Sequence, residues 1–266
     1  MADQTNALSN YAENKCLALV LTQAAFTSPT AVYVSLHTAS PGEDASGAEC
    51  TYTGYARKAI SFGASSGGAV SQDADVTFDQ CTAGSNDATH YGIWDAVSGG
   101  NLLAYGQLAA TKAISTGNTP SIASGEIVLT MSTTEMSTYL ADKLMDHMFN
   151  NTAYGGAANT YFALATVALT GASTGSTITE PSGNNYSRCS VTGGWTVTDN
   201  SGDNDTEETF ATPSGDWGTI TALALLDAST LGNVLFFDNS PTGDGQAPAS
   251  GDTVKIAAGA YTCTLD

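Results

Sequence analysis

Apolar residues near the start of the chain fall at helical spacing. Ala12, Cys16, Leu17, Leu19 and Val20 gather toward one face, and Ser9 stands where a helix N-cap would. Near mid-chain Leu140, Leu144 and Met148 draw a matching face, with Tyr139 and Phe149 beside it. Past each helix the period shortens toward two. Ala31 to Leu36, Ile93 to Ala96, Leu102 to Leu108 and Glu126 to Met131 alternate, which predicts strands. The stretches SPGEDASG, SSGG, VSGGN and STGNTP separate them, with Gly and Asn suited to positive φ. A short helix followed by six to eight short strands predicts a mainly β unit, an antiparallel β-sandwich of which the jelly roll is one arrangement.

The pattern is written twice. Ser9, Tyr11, Lys15 and Phe26 meet Ser137, Tyr139, Lys143 and Tyr154, each 128 residues later, and YVSL (33–36) meets YFAL (161–164). GYAR (54–57) then meets NYSR (185–188), and IWDAVSGGNLLAY (93–105) meets LLDASTLGNVLFF (225–237). TGNTPSIASGEIVLTM (116–131) meets SGDTVKIAAGAYTCTL (250–265). Order is kept while the offset drifts by six residues, as loop insertions would cause. The chain reads as a tandem duplication of two helix-plus-sandwich lobes, 1–132 and 133–266, joined by MSTTEMS (131–137). That linker has no long flexible run, so the lobes are expected to pack closely. The expected core pairs Tyr33, Leu36, Ile93, Trp94, Leu103, Tyr105, Ile127 and Leu129 with Tyr161, Leu164, Leu225, Leu226, Leu235, Phe237, Tyr261 and Cys263.

Charge narrows the partners. The 266 residues carry 26 acids against 7 bases, a net charge of −19. Such a surface repels phosphate backbones and anionic lipids, so neither nucleic acid nor membrane is an expected partner. MADQTNALSN has neither the basic region nor the apolar core of a signal peptide, and synthesis in the cytoplasm is expected.

Candidate chemistry is sparse. The histidines, His37, His90 and His147, do not recur between copies, and none has metal-ligand spacing to Cys, Asp or Glu. Each reads as a surface or packing residue. No GxSxG, HExxH or P-loop is present, so no enzyme, metal or cofactor is expected. The cations that recur are Lys15 with Lys143 and Arg57 with Arg188. A guanidinium kept in so acidic a chain is expected to pair a carboxylate or hold loop carbonyls. Asp95 and Asp227 also recur, each before an Ala and a glycine-containing turn, as turn starters.

The most acidic stretch, DNSGDNDTEE (199–208), is expected to be a solvated loop. Its likeness to a calcium loop is loose, with Gly fourth where the EF-hand pattern wants it sixth. Of five cysteines, Cys16 and Cys263 read as small core residues. Cys50 and Cys81 lie in polar loops and could pair in an oxidising exterior.

SNYAENK (9–15), VYVSLHTASPG (32–42), GYARKAISFG (54–63), HYGIWDAVSGGNLLAYG (90–106) and ASGEIVLT (123–130) together resemble a family of tailed-bacteriophage virion proteins. Its members are labelled tail fibre proteins or look like head decoration proteins, and the family unit is about as long as one copy. The second copy keeps the helix, the NYSR turn and the terminal strands but departs at SLHTASPG. The resemblance implies a structural protein of the virion, on its outer surface, with the major capsid protein, other virion proteins or further copies of itself as partners. Of the readings it leaves, a capsid decoration or cement protein comes first, because the chain lacks the heptads and repetitive shaft of a fibre. A tail fibre or appendage subunit contacting the host surface is the alternative. A polysaccharide hydrolase would want two close carboxylates beside aromatics, and no such pair recurs.

Overall fold

The computed structural model describes residues 6–132, 134–241 and 245–265. The MADQT start of the chain and Thr133 of the linker lie outside the described residues. The first repeat runs β1 (Asn6–Leu8), α1 (Asn10–Thr22), β2 (Val32–His37), β3 (Lys58–Ile60), β4 (Ala69–Ser71), β5 (Val76–Thr77), β6 (Ser85–Trp94), β7 (Leu102–Ser115), β8 (Ser121–Ile122) and β9 (Val128–Thr130). The second runs α2 (Thr138–Phe149), β10 (Tyr161–Ala165), β11 (Cys189–Ser190), β12 (Trp195–Thr198), β13 (Ser201–Asn204), β14 (Glu208–Thr209), β15 (Ala222–Leu226), β16 (Val234–Asp238), β17 (Lys255–Ile256) and β18 (Thr262–Thr264).

Each repeat builds one main antiparallel sheet, ordered β1-β7-β6-β2-β3 in the first and β11-β10-β15-β16 in the second. Read from its other end, the second order is β16-β15-β10-β11 and matches β7-β6-β2-β3 of the first. The place of β1 is taken in the second repeat by Glu135 and Met136: Met136 bridges Phe236, and the Phe237 amide donates to the Glu135 carbonyl at 2.8 Å. Register repeats as well. Tyr33 opposes Trp94 and Leu36 opposes Tyr91, while Tyr161 opposes Leu226 and Leu164 opposes Leu223. Even the irregularity recurs, at Ile93/Trp94 and at Leu225/Leu226. Short ladders form the other layer: β4-β9 and β5-β8 in the first repeat, β12-β13-β18 and β14-β17 in the second. The result is a mainly β protein of antiparallel sandwich lobes, each entered through a short helix. The first repeat also differs in that Ser85 to Ala88 extend β6 against Lys112 to Ser115 of β7.

Both helices start the same way. Ser9 accepts from the Ala12 amide at 3.2 Å, its hydroxyl donates to the Leu102 carbonyl, and its amide donates to the Leu103 carbonyl at 3.0 Å. Ser137 accepts from Leu140, donates through its hydroxyl to Val234, and donates through its amide to Leu235 at 2.9 Å. The cap therefore satisfies helix donors and ties the helix to the first residues of β7 or β16 at once.

The helices then cross into the opposite repeat. Besides its own β7, α1 packs on β12 and β13, and besides its own β16, α2 packs on β4. Cys16 Sγ lies 3.5 Å from Met148 Sδ, and one continuous apolar cluster takes in Leu17, Leu36 and Ile93 together with Leu144, Phe162 and Leu225. Hydrogen bonds follow the same crossing. Asn150 Nδ2 donates to the Gly63 carbonyl at 3.0 Å, and the amides of Ser65 and Gly68 donate to Asp146 and Asp142 at 2.9 and 2.7 Å. From α1, Gln23 Nε2 donates to Ala158 at 2.8 Å, and nearby Ser28 donates to the His147 carbonyl at 2.6 Å. The sequence predicts a core in each lobe; the structure merges them, because each helix is apolar on more of its surface than its own sheet covers.

The expected core residues are buried except Tyr33 and Tyr161, which are half-buried at matching places in the two repeats. Trp94 and Tyr105 lie on the far face of the first sheet under Ala45, while Leu226 and Phe237 share the far face of the second with Leu169 and Ile178.

A shared core predicts shared unfolding. Gly156 has φ +69°, and a Cβ there would stand 2.4 Å from the Leu19 carbonyl oxygen of α1. Gly156→Ala is therefore expected to destabilise the whole chain by about 1–3 kcal/mol, in one thermal transition seen alike by probes in both repeats. Two separate transitions, with only one displaced, would contradict a common core.

Candidate functional site

The tips of the β6-β7 and β15-β16 hairpins are closed by the same set of hydrogen bonds. Asp95 accepts from both the backbone and the side-chain amide of Asn101, each at 2.7 Å, and Asp227 accepts from Asn233 identically. The preceding glycines permit this closure. Gly100 and Gly232 have φ of +71° and +72°, and a Cβ on either would strike the aspartate oxygen.

Each clasp is held from beneath by an arginine. Arg57 Nη1 donates to the carbonyls of Ala96 (3.3 Å) and Gly99 (2.8 Å), while Nε and Nη2 fork onto Glu49. Arg188 Nη1 donates to Ala228 (2.8 Å) and Leu231 (2.7 Å), with Nε and Nη2 on Glu180 and a further bond from Nη2 to the Gly175 carbonyl. The two side chains are only 9% and 4% exposed. Such planar, charge-assisted bonds fix direction as well as distance. Arg57 additionally lies 3.6 Å over the Trp94 ring, where the second repeat has Leu226.

A tyrosine links each clamp to the sheet. Tyr55 accepts from the Leu36 amide at 2.9 Å and donates to Glu49 at 2.7 Å, and Tyr186 accepts from Leu164 at 3.0 Å. Burial alone would raise the Glu49 carboxyl; the bonds from Arg57 and Tyr55 outweigh it and hold Glu49 below the ordinary glutamate value. Lys15 and Lys143 sit apart from the clamps, 5.8 and 5.7 Å from the rings of Tyr11 and Tyr139. Those tyrosines are raised by burial first and then by the charges of Asp95 and Asp227.

Asp95, Arg57, Asp227 and Arg188 thus converge on two equivalent loops. Their partners Glu49, Glu180, Tyr55, Tyr186, Asn101 and Asn233 are not among the residues the sequence singles out. A signal existed: Glu49 and Glu180 stand eight residues before their arginines, and Tyr55 and Tyr186 two before.

Elsewhere the picture changes. His37, His90 and His147 are all buried, so each packs rather than lies on the surface. His37 Nε2 is 2.7 Å from Ser35 Oγ with its ring stacked on Trp94, and burial pushes it down to about 4 against the opposing pull of Glu49. His147 is lowered by burial, with Phe26 of the first repeat 4.9 Å away. DNSGDNDTEE is only partly a solvated loop: Asp199, Asn200 and residues 205–207 are exposed, but Ser201–Asn204 form β13, Glu208 opens β14, and Asn204 and Glu208 are buried. Glu208 accepts from the amides of Thr192 and Gly193 at 2.7 and 3.0 Å, bonds that overcome burial and lower its carboxyl. Among the described residues no cluster of His, Cys, Asp or Glu is placed to hold a metal. All five cysteines are free and buried, Cys50 and Cys81 included, and burial pushes the Cys50 thiol up to about 12. The second repeat also carries a cavity of about 340 Å³ floored by Leu164, Phe210 and Leu223, with Gln246 and Lys255 in its lining.

Loss of either arginine is expected to loosen a tip and strand a carboxylate. Arg57→Ala and Arg188→Ala should each lower stability by about 1.5–3 kcal/mol, and Lys at either position should rescue little, because it lacks the fork. Urea midpoints measure both. His37 gives a second outcome. It stays neutral in the fold down to about pH 4, whereas an unfolded histidine takes up its proton near pH 6.5. The unfolded chain then binds more protons in that window, so stability is full above about pH 6.5 and falls toward pH 4, by up to about 3 kcal/mol. His37→Gln should flatten this acid loss relative to the parent chain.

A search of curated proteins finds no match to this sequence. A search of protein families finds one, described as podophage GP4 fiber I protein gp80, and it matches twice, over residues 7–130 and again over 135–264. The two matches fall on the two repeats whose register, caps and clasped tips coincide. The chain belongs to the podophage GP4 fiber I protein gp80 family, as two tandem copies of the family unit, and is a bacteriophage virion structural protein.

Proposed function

We propose that this chain is a fibre or appendage subunit of the virion, with a structural, non-catalytic role on its outer surface. The observation that carries the reading is the family match across both repeats, whose description is that of a fibre protein. It outweighs the absence of heptads, since rigidity here comes from a fused core rather than from a coiled shaft. The repeats 1–132 and 133–266 are its two domain units, working as one body. Its partners are other virion proteins or further copies of itself; a net charge of −19 speaks against nucleic acid. No helix among the described residues is long and apolar enough to cross a membrane.

The acidic, compact, two-lobed chain also suits a decoration protein clamping neighbouring copies of the major capsid protein, and one experiment separates the two. Particles grown without the protein are compared with complete ones for adsorption to host cells and for survival on heating. The fibre reading expects normal heat resistance and poor adsorption, with few copies per particle. Heat-fragile particles that adsorb normally, and hundreds of copies in the complete virion, would establish the cement role instead.

A further inference from the structure

The cavity of about 340 Å³ in the second repeat belongs neither to the clamps nor to the seam between the helices. Its buried lining is apolar: Leu164, Phe210, Ile220, Leu223 and Ile256, with Pro241 and Pro248 beside them. Gln246, Asp252, Thr253 and Lys255 line it as well and are exposed, so the polar groups stand at its mouth. An apolar floor with a few polar groups at the entrance is the usual composition of a ligand site.

The first repeat has the same frame without the floor. The Phe78 amide donates to the Pro120 carbonyl at 2.9 Å, as Phe210 donates to Val254 at 2.9 Å. The turn amides of Ser115 and Ala249 donate to the side chains of Asn118 and Asp252 at 2.9 and 2.8 Å. A depression of about 250 Å³ lies within this frame, lined by Lys112, Ile114, Asn118 and Thr119 among others, but no residue of β2 or β6 reaches it. Tyr91, only 1% exposed, stands where the second repeat has Leu223, and Ile114 where it has the smaller Pro248. The second copy is instead open down to β10 and β15 of its main sheet.

The lining selects the ligand. Lys255 Nζ pairs with Glu207 at 2.8 Å and Asp252 accepts the Ala249 amide, so both charges at the mouth already have partners. The Gln246 amide and the Thr253 hydroxyl engage no partner among the described residues. A charged group would lose its hydration against this floor, and a sugar would strand its hydroxyls there. A neutral ring suits it. Of the aromatic set Tyr186, Phe210 and Trp217, with centroids 5.1 to 6.5 Å apart, Phe210 is the one that lines the cavity. A ring seated on Phe210 would extend that set. An apolar cavity of about 150 Å³ takes benzene, so this larger one takes a ring together with an attached group.

We propose that this cavity is a binding site for an uncharged aromatic group with one neutral hydrogen-bonding head. The ring lies against Phe210, Ile220 and Leu223, and the head bonds Gln246 and Thr253 at the mouth. Such a group comes either as a free small molecule or as a side chain on another polypeptide. The site is independent of the choice between fibre and decoration protein.

Calorimetric titration of the full-length protein tests this with indole, N-acetyltryptophanamide and methyl glucoside as probes. At least one ring compound should saturate a single site per chain, with a Kd in roughly the millimolar range or tighter. Tighter binding of the amide points to a polypeptide source, and equal or tighter binding of indole to a free molecule. The glucoside should bind weaker by about tenfold or more. Leu223→Tyr, which carries the first repeat's residue into the floor, should abolish binding. Gln246→Ala, a change at an exposed position that spares the fold, should weaken the amide by about threefold or more, and it decides the matter if Leu223→Tyr does not fold. No saturation by roughly 10 mM of either ring compound, two equal sites per chain, a glucoside that binds as well, or folded variants that bind like the parent would each overturn the proposal. None of these results would touch the virion role.

Discussion

The crossing of α1 and α2 into opposite repeats is the contact on which the rest depends. A sandwich of short strands, several only two or three residues long, has too few ladder bonds and too little apolar face to stand without cover. Here the ladders β4-β9 and β12-β13-β18 are each covered by the helix of the other copy. The helices meet where Cys16 reaches Met148, and the aromatic contacts of Tyr11, Phe26 and His147 continue the seam. Burial of this kind is non-directional, so drifted sequences can share it. Asn150, Asp142 and Asp146, bonded to backbone at 63–68, add the directional part and fix the register of one repeat on the other.

The clamps carry that rigidity outward. Ser9 and Ser137 bond the helix starts to residues just inside the tips, and the charges of Asp95 and Asp227 raise Tyr11 and Tyr139 on those helices. Arg57 and Arg188 then connect loop carbonyls to Glu49 and Glu180, and Tyr55 and Tyr186 connect the clamp to the main sheet. The chain of contacts runs from shared core to helix cap to hairpin to tip, with few exposed links. Such an arrangement holds two surface loops in a fixed relation without a long coiled-coil scaffold.

Much of this was legible in the sequence, for identifiable reasons. Helix starts were readable because Ser9 and Ser137 precede apolar helical faces, and the β6-β7 and β15-β16 hairpins because alternation brackets glycine-rich turns. The offset between copies was readable because duplication repeats every signal at once. The helix crossing was not, since no local pattern says which sheet an apolar face will cover. Glu49 and Glu180 were missed because ion pairs are made by the fold, across loops whose path composition does not fix. The acidic stretch 199–208 misled for a related reason: density of charge suggested solvent, but Glu208 is satisfied by amides of Thr192 and Gly193 and tolerates burial.

Duplication within one chain has a physical consequence beyond symmetry. Two identical subunits meeting through crossed helices would have to find each other at whatever concentration they are made. Joined through 131–137, the same interface forms at the far higher effective concentration of a tether. It also frees the copies to differ, and they do. Trp94 under Arg57 is replaced by Leu226, the long β6-β7 extension has no counterpart strand among the described residues, and Gly99 gives way to Leu231. What stays common is the clasp, the clamp and the seam, the parts that set where the tips stand. What varies is the surface those parts support. That division fixes the position of the two loops while leaving their surfaces free to diverge.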